Sequence, residues 1–297
     1  MIIGIMGPEG SYSEKAAKLW TAKYQLCGVE FRYFADIEDT LLAVVDGKSD
    51  LSVIPVENSI EGSVGITLDL LLEKNVRIVG EVVVKIEHCL LAKGRLEDIR
   101  IILSHPQGLA QCRHFLKKHF PGTELRSTGS TSHAARLAGE FEEMAAIASP
   151  EAAECYRLNT LLSNVQDQKE NYTRFIVLEA VDKALSSGGK DLNSSFATSF
   201  ATSFATVFKT SLIIYLEKDR PGALYNILGA FALRNINLTK IESRPSKKEL
   251  GDYYFYIDFE GCTGDVLIID ALEDIKDKVD TLKVLGSYPA FKSEQKI

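Results

Sequence analysis

Short apolar runs alternate with longer amphipathic stretches from residue 1 to about 181, the pattern of an α/β sheet protein. Strands are predicted at 2–6, 31–34, 51–56, 76–84, 88–92, 99–103, 144–148 and 174–178. Helices are predicted at 37–47, 66–75, 107–119, 131–141 and 150–156, the third with Leu109, Cys112, Phe115 and Leu116 on one face. Another helix follows Gly10, because Ser11 with Glu14 three residues on forms a capping box. From Lys209 the rhythm changes. Strand 210–217, loop 218–221, helix 222–234, strands 236–243 and 252–260, helix 265–279 and strand 281–288 give the order βαββαβ, the ferredoxin-like split arrangement.

Between the two patterns, residues 183–194 have linker composition. Ser-Phe-Ala-Thr then repeats in tandem at 195–198, 199–202 and 203–206, with Phe196, Phe200, Phe204 and Phe208 four residues apart. That spacing would roughly line one helix face, but Phe and Thr also suit strands. The plainest reading is an expanded linker without chemistry of its own. The expected domains are 1–182, a linker over 183–208, and 209–297.

The chain of 297 residues suffices for roughly two domains. Its net charge is −7 and no basic block stands out, which argues against a nucleic-acid partner. No apolar run is long enough to cross a bilayer, and the opening M-I-I-G-I-M-G reads as a first strand rather than a signal peptide. Cys27, Cys89, Cys112, Cys155 and Cys262 are odd in number, scattered, and lack any C-x-x-C pair. They fit reduced thiols in the cytoplasm and no zinc site.

Chemistry gathers where strands end. The run Leu51–Val56 stops at Glu57, Asn58 and Ser59, a carboxylate, an amide and a hydroxyl in succession. Strand ends in α/β proteins are where small ligands bind, although the same residues could cap a helix, with Glu61 in its first turn. Gly7-Pro8-Glu9-Gly10-Ser11-Tyr12-Ser13 joins a strand to a helix, where backbone N–H groups can hold an anion, or simply turn the chain. Ser104-His105-Pro106-Gln107 again follows an apolar strand, and Ser104 could cap the helix that carries Gln111. Ser130-Thr131-Ser132 opens a further helix. Asn171-Tyr172-Thr173-Arg174-Phe175 places a hydroxyl beside a guanidinium able to pair with a carboxylate. Together these boundaries suggest a polar cleft for a small oxygenated anion. No Ser-His-Asp order, metal-ligand set or dinucleotide loop emerges. In the second domain Gly222-Ala223-Leu224 leaves room for a ligand beside the backbone, and Glu242-Ser243-Arg244-Pro245 closes the next strand.

The ordered set G-P-E-G-S-Y-S, P-V-E-N-S-I-E-G, S-H-P-Q-G-L-A-Q-C and N-Y-T-R-F resembles the prephenate dehydratase family of phenylalanine biosynthesis. Ile86-Glu87-His88-Cys89-Leu90 matches that family's I-x-H-x-L pattern. G-A-L-Y-N-I-L-G-A-F and N-I-N-L-T-K-I-E-S-R-P resemble its ACT regulatory domain. The resemblance spans 1–180 and 209–290 and implies a two-lobed α/β catalytic domain similar to type 2 periplasmic binding proteins. Its lobes would be about 1–77 with 164–182, and 78–163, followed by the βαββαβ ACT domain.

The resemblance implies a lyase that converts prephenate to phenylpyruvate in the cytoplasm, without metal or cofactor. It implies that Thr173, Asn58, Glu57, Ser104 and Gln111 line the active site, with Arg174, Ser11 and Ser13 as substrate-binding residues. Among them, Asn58 is expected to contact substrate, Glu57 to orient through a neighbouring hydroxyl, and Ser59 to cap a helix. Allosteric phenylalanine would bind Gly222, Ala223, Leu224, Glu242, Ser243, Arg244 and Pro245 across subunits of a homodimer or homotetramer. The tandem S-F-A-T departs from the family pattern and bears on inter-domain geometry rather than chemistry. An arogenate dehydratase on the same scaffold, or a non-catalytic amino-acid sensor, would carry much of the same pattern.

Overall fold

The computed structural model describes residues 1–181, 207–216, 221–247 and 251–291. The Ser-Phe-Ala-Thr repeat, the 183–194 stretch and most of the 218–221 loop lie outside them. The chain divides into two compact units: residues 1–64 with 82–175, and residues 65–81 with 176–297.

The first unit is α/β. Strand β1 (Ile2–Met6) runs parallel to both β2 (Glu30–Phe34) and β3 (Leu51–Asn58). Their sheet has the order β2-β1-β3-β11-β5, with β5 (Val76–Lys85) and β11 (Tyr172–Ala180) contributing residues to both units. Two-residue β4 (Gly62–Ser63) folds back antiparallel on Glu57 and Asn58. Helices α1 (Tyr12–Lys23) and α2 (Ile37–Val45) cover the sheet, each started by a side-chain cap, Ser11 and Asp36. A second sheet has the order β10-β6-β9-β7-β8, from β6 (Cys89–Ala92), β7 (Ile101–Ser104), β8 (Glu124–Ser127), β9 (Met144–Ala148) and β10 (Asn159–Leu162). Helix α3 (Gly65–Glu73) belongs to the second unit, whereas α4 (Pro106–Gln111), α5 (Arg113–His119), α6 (Thr131–Ala138) and α7 (Pro150–Tyr156) flank the second sheet.

Alanines explain one close packing: Ala134, Ala135 and Ala138 of α6 meet Ala146 and Ala148 of β9, all without solvent exposure. Small side chains let helix and sheet backbones approach, which a leucine at these positions would prevent.

The second unit contains the βαββαβ module. Strands β12 (Phe208–Tyr215), β13 (Leu238–Pro245), β14 (Tyr253–Glu260) and β15 (Thr281–Pro289) form an antiparallel sheet of order β13-β14-β12-β15. Helices α8 (Ala223–Ala232) and α9 (Val266–Lys276) bury Ile227, Phe231, Ile268 and Ile275 against Leu212, Ile214, Ile257 and Phe259. The opposite face meets α3 and β5 of the same unit. The Tyr256 hydroxyl donates to Leu68 O at 2.6 Å, and the half-buried Lys283 ammonium donates to the Leu71, Leu72 and Lys74 carbonyls at the end of α3. Leu71 and Leu72 belong to the last turn of α3, whose carbonyls lack partners within the helix, so the lysine satisfies them. Buried Glu81 accepts Lys209 Nζ on both oxygens at 2.9 Å, and Arg77 pairs with Glu179.

Candidate active site

Five of the residues expected at the site meet in the first unit. Asn58, at the end of β3, is buried. Its Oδ1 accepts from the backbone N–H of Ile60 at 2.9 Å and of Glu61 at 3.1 Å. A carbonyl oxygen alone can accept from two amides, so the side chain has one orientation. Its Nδ2 therefore donates, to Asn171 Oδ1 at 2.8 Å, Thr173 Oγ1 at 2.9 Å and Tyr172 O at 3.2 Å. Thr173 thus accepts from Asn58, which turns its own hydroxyl proton elsewhere.

Arg174, next on β11, pairs with Glu57 Oε2 through Nε at 3.2 Å and Nη2 at 3.1 Å. Glu57 therefore holds a guanidinium, a partner that its place in the sequence did not name. Gln111, the last residue of α4, donates from Nε2 to Glu61 Oε1 at 3.1 Å. Its Oε1 accepts from Asn171 Nδ2 at 3.2 Å and lies 2.8 Å from His88 Nε2. Burial pushes the His88 imidazole below its ordinary value, opposed in part by the Gln111 hydrogen bond.

The other expected residues stand differently. Ser104 is fully buried, and its hydroxyl donates to Ile147 O at 2.7 Å. It does not cap α4, whose first turn is capped by His105 Nδ1, accepting from the Gln107 N–H at 3.3 Å. Close packing explains this: Gly108 sits against Ser104 Oγ so tightly that a β-carbon there would lie 2.4 Å away. Ser59 caps no helix either, because α3 begins only at Gly65. It instead pairs reciprocally with Tyr172, its N–H donating to Tyr172 O at 2.8 Å and its Oγ accepting from Tyr172 N at 2.9 Å. Ser11 is the α1 cap, accepting from Glu14 N at 3.3 Å and donating to Met6 O at 2.9 Å. Ser13 is buried in the same turn. Among the described residues neither serine shares a hydrogen bond with the Asn58–Thr173 group.

Three contributors were invisible as such in the sequence: Asn171, His88 and Tyr12. Asn171 and His88 stand inside recognisable motifs, but nothing local says that they bridge Asn58 to Gln111. The Tyr12 hydroxyl donates to Glu87 O at 2.5 Å and lies 3.4 Å from His88 Nδ1.

In the second unit, strand alternation divides the 242–245 segment. Glu242 and Arg244, opposite Tyr256 and Tyr254, face α3, where Arg244 forks onto Asp69 at 3.0–3.3 Å and Lys247 joins it at 2.8 Å. Ser243 and Pro245 face the helix side with the Gly222 turn, whose left-handed φ of 83° starts α8. The side chains of 242–245 thus divide between the two faces of the sheet.

A hydroxyl, three amides and a carboxylate–guanidinium pair on an α/β unit, in one chain with a βαββαβ module, fit a small-molecule enzyme with an appended regulatory-type domain. The match to known families makes the class specific. The chain belongs to the prephenate dehydratase family, whose model matches residues 3–183, and an ACT domain model matches residues 210–277. The prephenate dehydratase of Methanocaldococcus jannaschii is 40% identical over 289 residues, covering 96% of each protein. An Arabidopsis thaliana protein named arogenate dehydratase/prephenate dehydratase 2 is 38% identical, covering 97% of this chain and 72% of that one. The structure of prephenate dehydratase from Arthrobacter aurescens in complex with L-Phe superimposes with a TM-score of 0.81 at 30% identity, covering 99% of this chain and 93% of that one.

Proposed function

We propose that the chain catalyses the decarboxylating dehydration of prephenate to phenylpyruvate at the Asn58–Thr173–Gln111 cluster. The ring carboxylate leaves as CO2, its bonding pair enters the ring, and the bond to the para hydroxyl breaks. The departing oxygen takes a proton, so the products are phenylpyruvate, CO2 and water. Aromatisation drives the bond changes. The protein needs to hold two carboxylates and stabilise negative charge growing on one oxygen.

The observation that carries this reading is the Asn58 Nδ2 hydrogen bond to Thr173 Oγ1. Asn58 cannot turn round, so the Thr173 proton is available to the leaving oxygen and is replaced from solvent. Arg174 supplies positive charge for a substrate carboxylate, and the contact with Glu57 fixes its plane. The pairing also compensates the Glu57 carboxylate, which alone would repel a dianionic substrate. Gln111 contributes its amide N–H. The chain works in the cytoplasm as a homo-oligomer; among its described residues no helix is long and apolar enough to cross a membrane.

A second reading, arogenate as substrate, is favoured by the Arabidopsis relative named for both activities. Parallel initial rates on prephenate and arogenate separate the two, and faster turnover of arogenate would overturn the first. Feedback by L-phenylalanine through the ACT domain is supported by the Arthrobacter complex. Free phenylalanine should lower the rate, and Ser243→Ala should blunt that effect at unchanged basal activity. A rate indifferent to phenylalanine would exclude this regulation.

A further inference from the structure

His88 is buried, lies outside the roles assigned above, and among the described residues hydrogen-bonds one group assigned to the reaction, Gln111. The direction of the hydrogen bond at its Nε2 follows from two fixed ends. At one end, the carboxylate of Glu61 only accepts, so the Gln111 atom 3.1 Å from it is the amide nitrogen. Gln111 Oε1 is then the atom facing His88 and Asn171, and it too only accepts. At the other end, the backbone N–H groups of Ile60 and Glu61 fix Asn58, and Asn58 Nδ2 fixes Asn171 Oδ1 as an acceptor. Asn171 Nδ2 must therefore donate to Gln111 Oε1, as its 3.2 Å separation shows. The remaining partner of Gln111 Oε1, His88 Nε2 at 2.8 Å, has to carry a hydrogen.

We propose that His88 is a positioning residue for the reaction: with its proton on Nε2 it anchors Gln111 Oε1, so that the amide presents N–H rather than carbonyl oxygen to an anionic substrate. The ring is itself held. The His88 N–H donates to Gln166 Oε1 at 2.9 Å, and Tyr12 stands edge-on with ring centroids 6.0 Å apart. The Tyr12 hydroxyl donates to Glu87 O at 2.5 Å and, 3.4 Å from Nδ1, makes no hydrogen bond to it while that nitrogen carries no proton. Without the histidine donor, only Asn171 would hold Gln111 Oε1, and a rotated amide would turn a lone pair toward the substrate carboxylates. This inference rests on Gln111 serving the substrate, as proposed above.

The test is a double-mutant cycle on the full chain, with prephenate kinetics for wild type, His88→Leu, Gln111→Ala and the double variant. His88→Leu should lower kcat/KM roughly tenfold to a hundredfold, the range for a broken buried hydrogen bond. In the Gln111→Ala background the same change should cost less than about threefold. His88→Gln, which returns an N–H donor near the Nε2 position, should recover most of the activity. If His88→Leu is harmless, or equally harmful with and without Gln111, the proposal fails while the site reading stands. If Gln111→Ala keeps wild-type turnover, the site reading fails and takes the proposal with it. Long-range 1H–15N NMR of the wild-type histidines provides a check independent of folding in the variants. The His88 ring should show the Nε2–H tautomer; an Nδ1–H ring would overturn the proposal.

Discussion

Replacing Thr173 by alanine removes one O–H and leaves the surrounding framework almost intact. Asn58 Nδ2 loses its 2.9 Å acceptor but keeps Asn171 Oδ1 at 2.8 Å and Tyr172 O at 3.2 Å. The structural cost should stay below about 1 kcal/mol, the net worth of one hydrogen bond with alternatives at hand. The catalytic cost should be far larger. A donor aimed at charge that exists only in the transition state is worth about 2.7–4 kcal/mol, or roughly 100- to 1000-fold in kcat. Substrate binding should change little, because the donor acts on an oxygen that is neutral until the bond breaks. Initial rates of phenylpyruvate formation against prephenate concentration separate the two quantities, and a urea titration gives the stability. Thr173→Ser, which restores the hydroxyl, should return within about tenfold of wild type. A Thr173→Ala enzyme with near-wild-type kcat, or one whose loss lies wholly in KM, would refute the reasoning.

Asn58→Asp would set a carboxylate oxygen against three acceptors and draw the Thr173 proton inward; kcat should fall at least as far as in Thr173→Ala, with about 1–3 kcal/mol of stability lost in urea melts. A variant that turns over normally would show that the amide does not direct Thr173. Burial lowers the folded-state pKa of His88, so the unfolded chain binds a proton that the native ring resists. Its contribution to stability is complete above the unfolded value near 6.5 and is lost as pH falls toward the lower folded value. The stability gap between wild type and His88→Gln should therefore narrow from pH 8 to pH 5, and a gap independent of pH would contradict the buried neutral ring. Gly286 has φ 143°, and a β-carbon there would lie 2.3 Å from Ile78 O, so Gly286→Ala should cost roughly 2–4 kcal/mol; unchanged thermal melting would refute that close approach.

Much of the site was readable because its residues sit where apolar runs stop. Glu57, Asn58 and Gln111 end a strand or short helix, Thr173 and Arg174 lie at the start of β11, and their chemistry stands out against the hydrophobic runs. What could not be read is direction and pairing. Glu57 and Arg174 lie 117 positions apart, and Asn58 and Asn171 lie 113 apart, so no local pattern connects them. Ser104 and Ser59 have the right chemistry, but tertiary contacts turn both toward backbone partners. The βαββαβ order from Lys209 was legible from its alternation. Strand β8 was not, because all four of its residues are exposed and show no apolar period. The helix expected over 107–119 breaks at Cys112, whose φ of −114° departs from helical geometry although its side chain lies in the apolar stripe. Sequence periodicity registers the stripe and not the break.

The most direct measurement is incubation of the purified full chain with prephenate alone, following phenylpyruvate and CO2 together. The two should appear in equal amounts as prephenate disappears, at a rate that Thr173→Ala depresses by roughly 100- to 1000-fold. Prephenate left unconverted by the wild-type chain, or converted equally well by the alanine variant, would contradict the assignment of this cluster as the catalytic site.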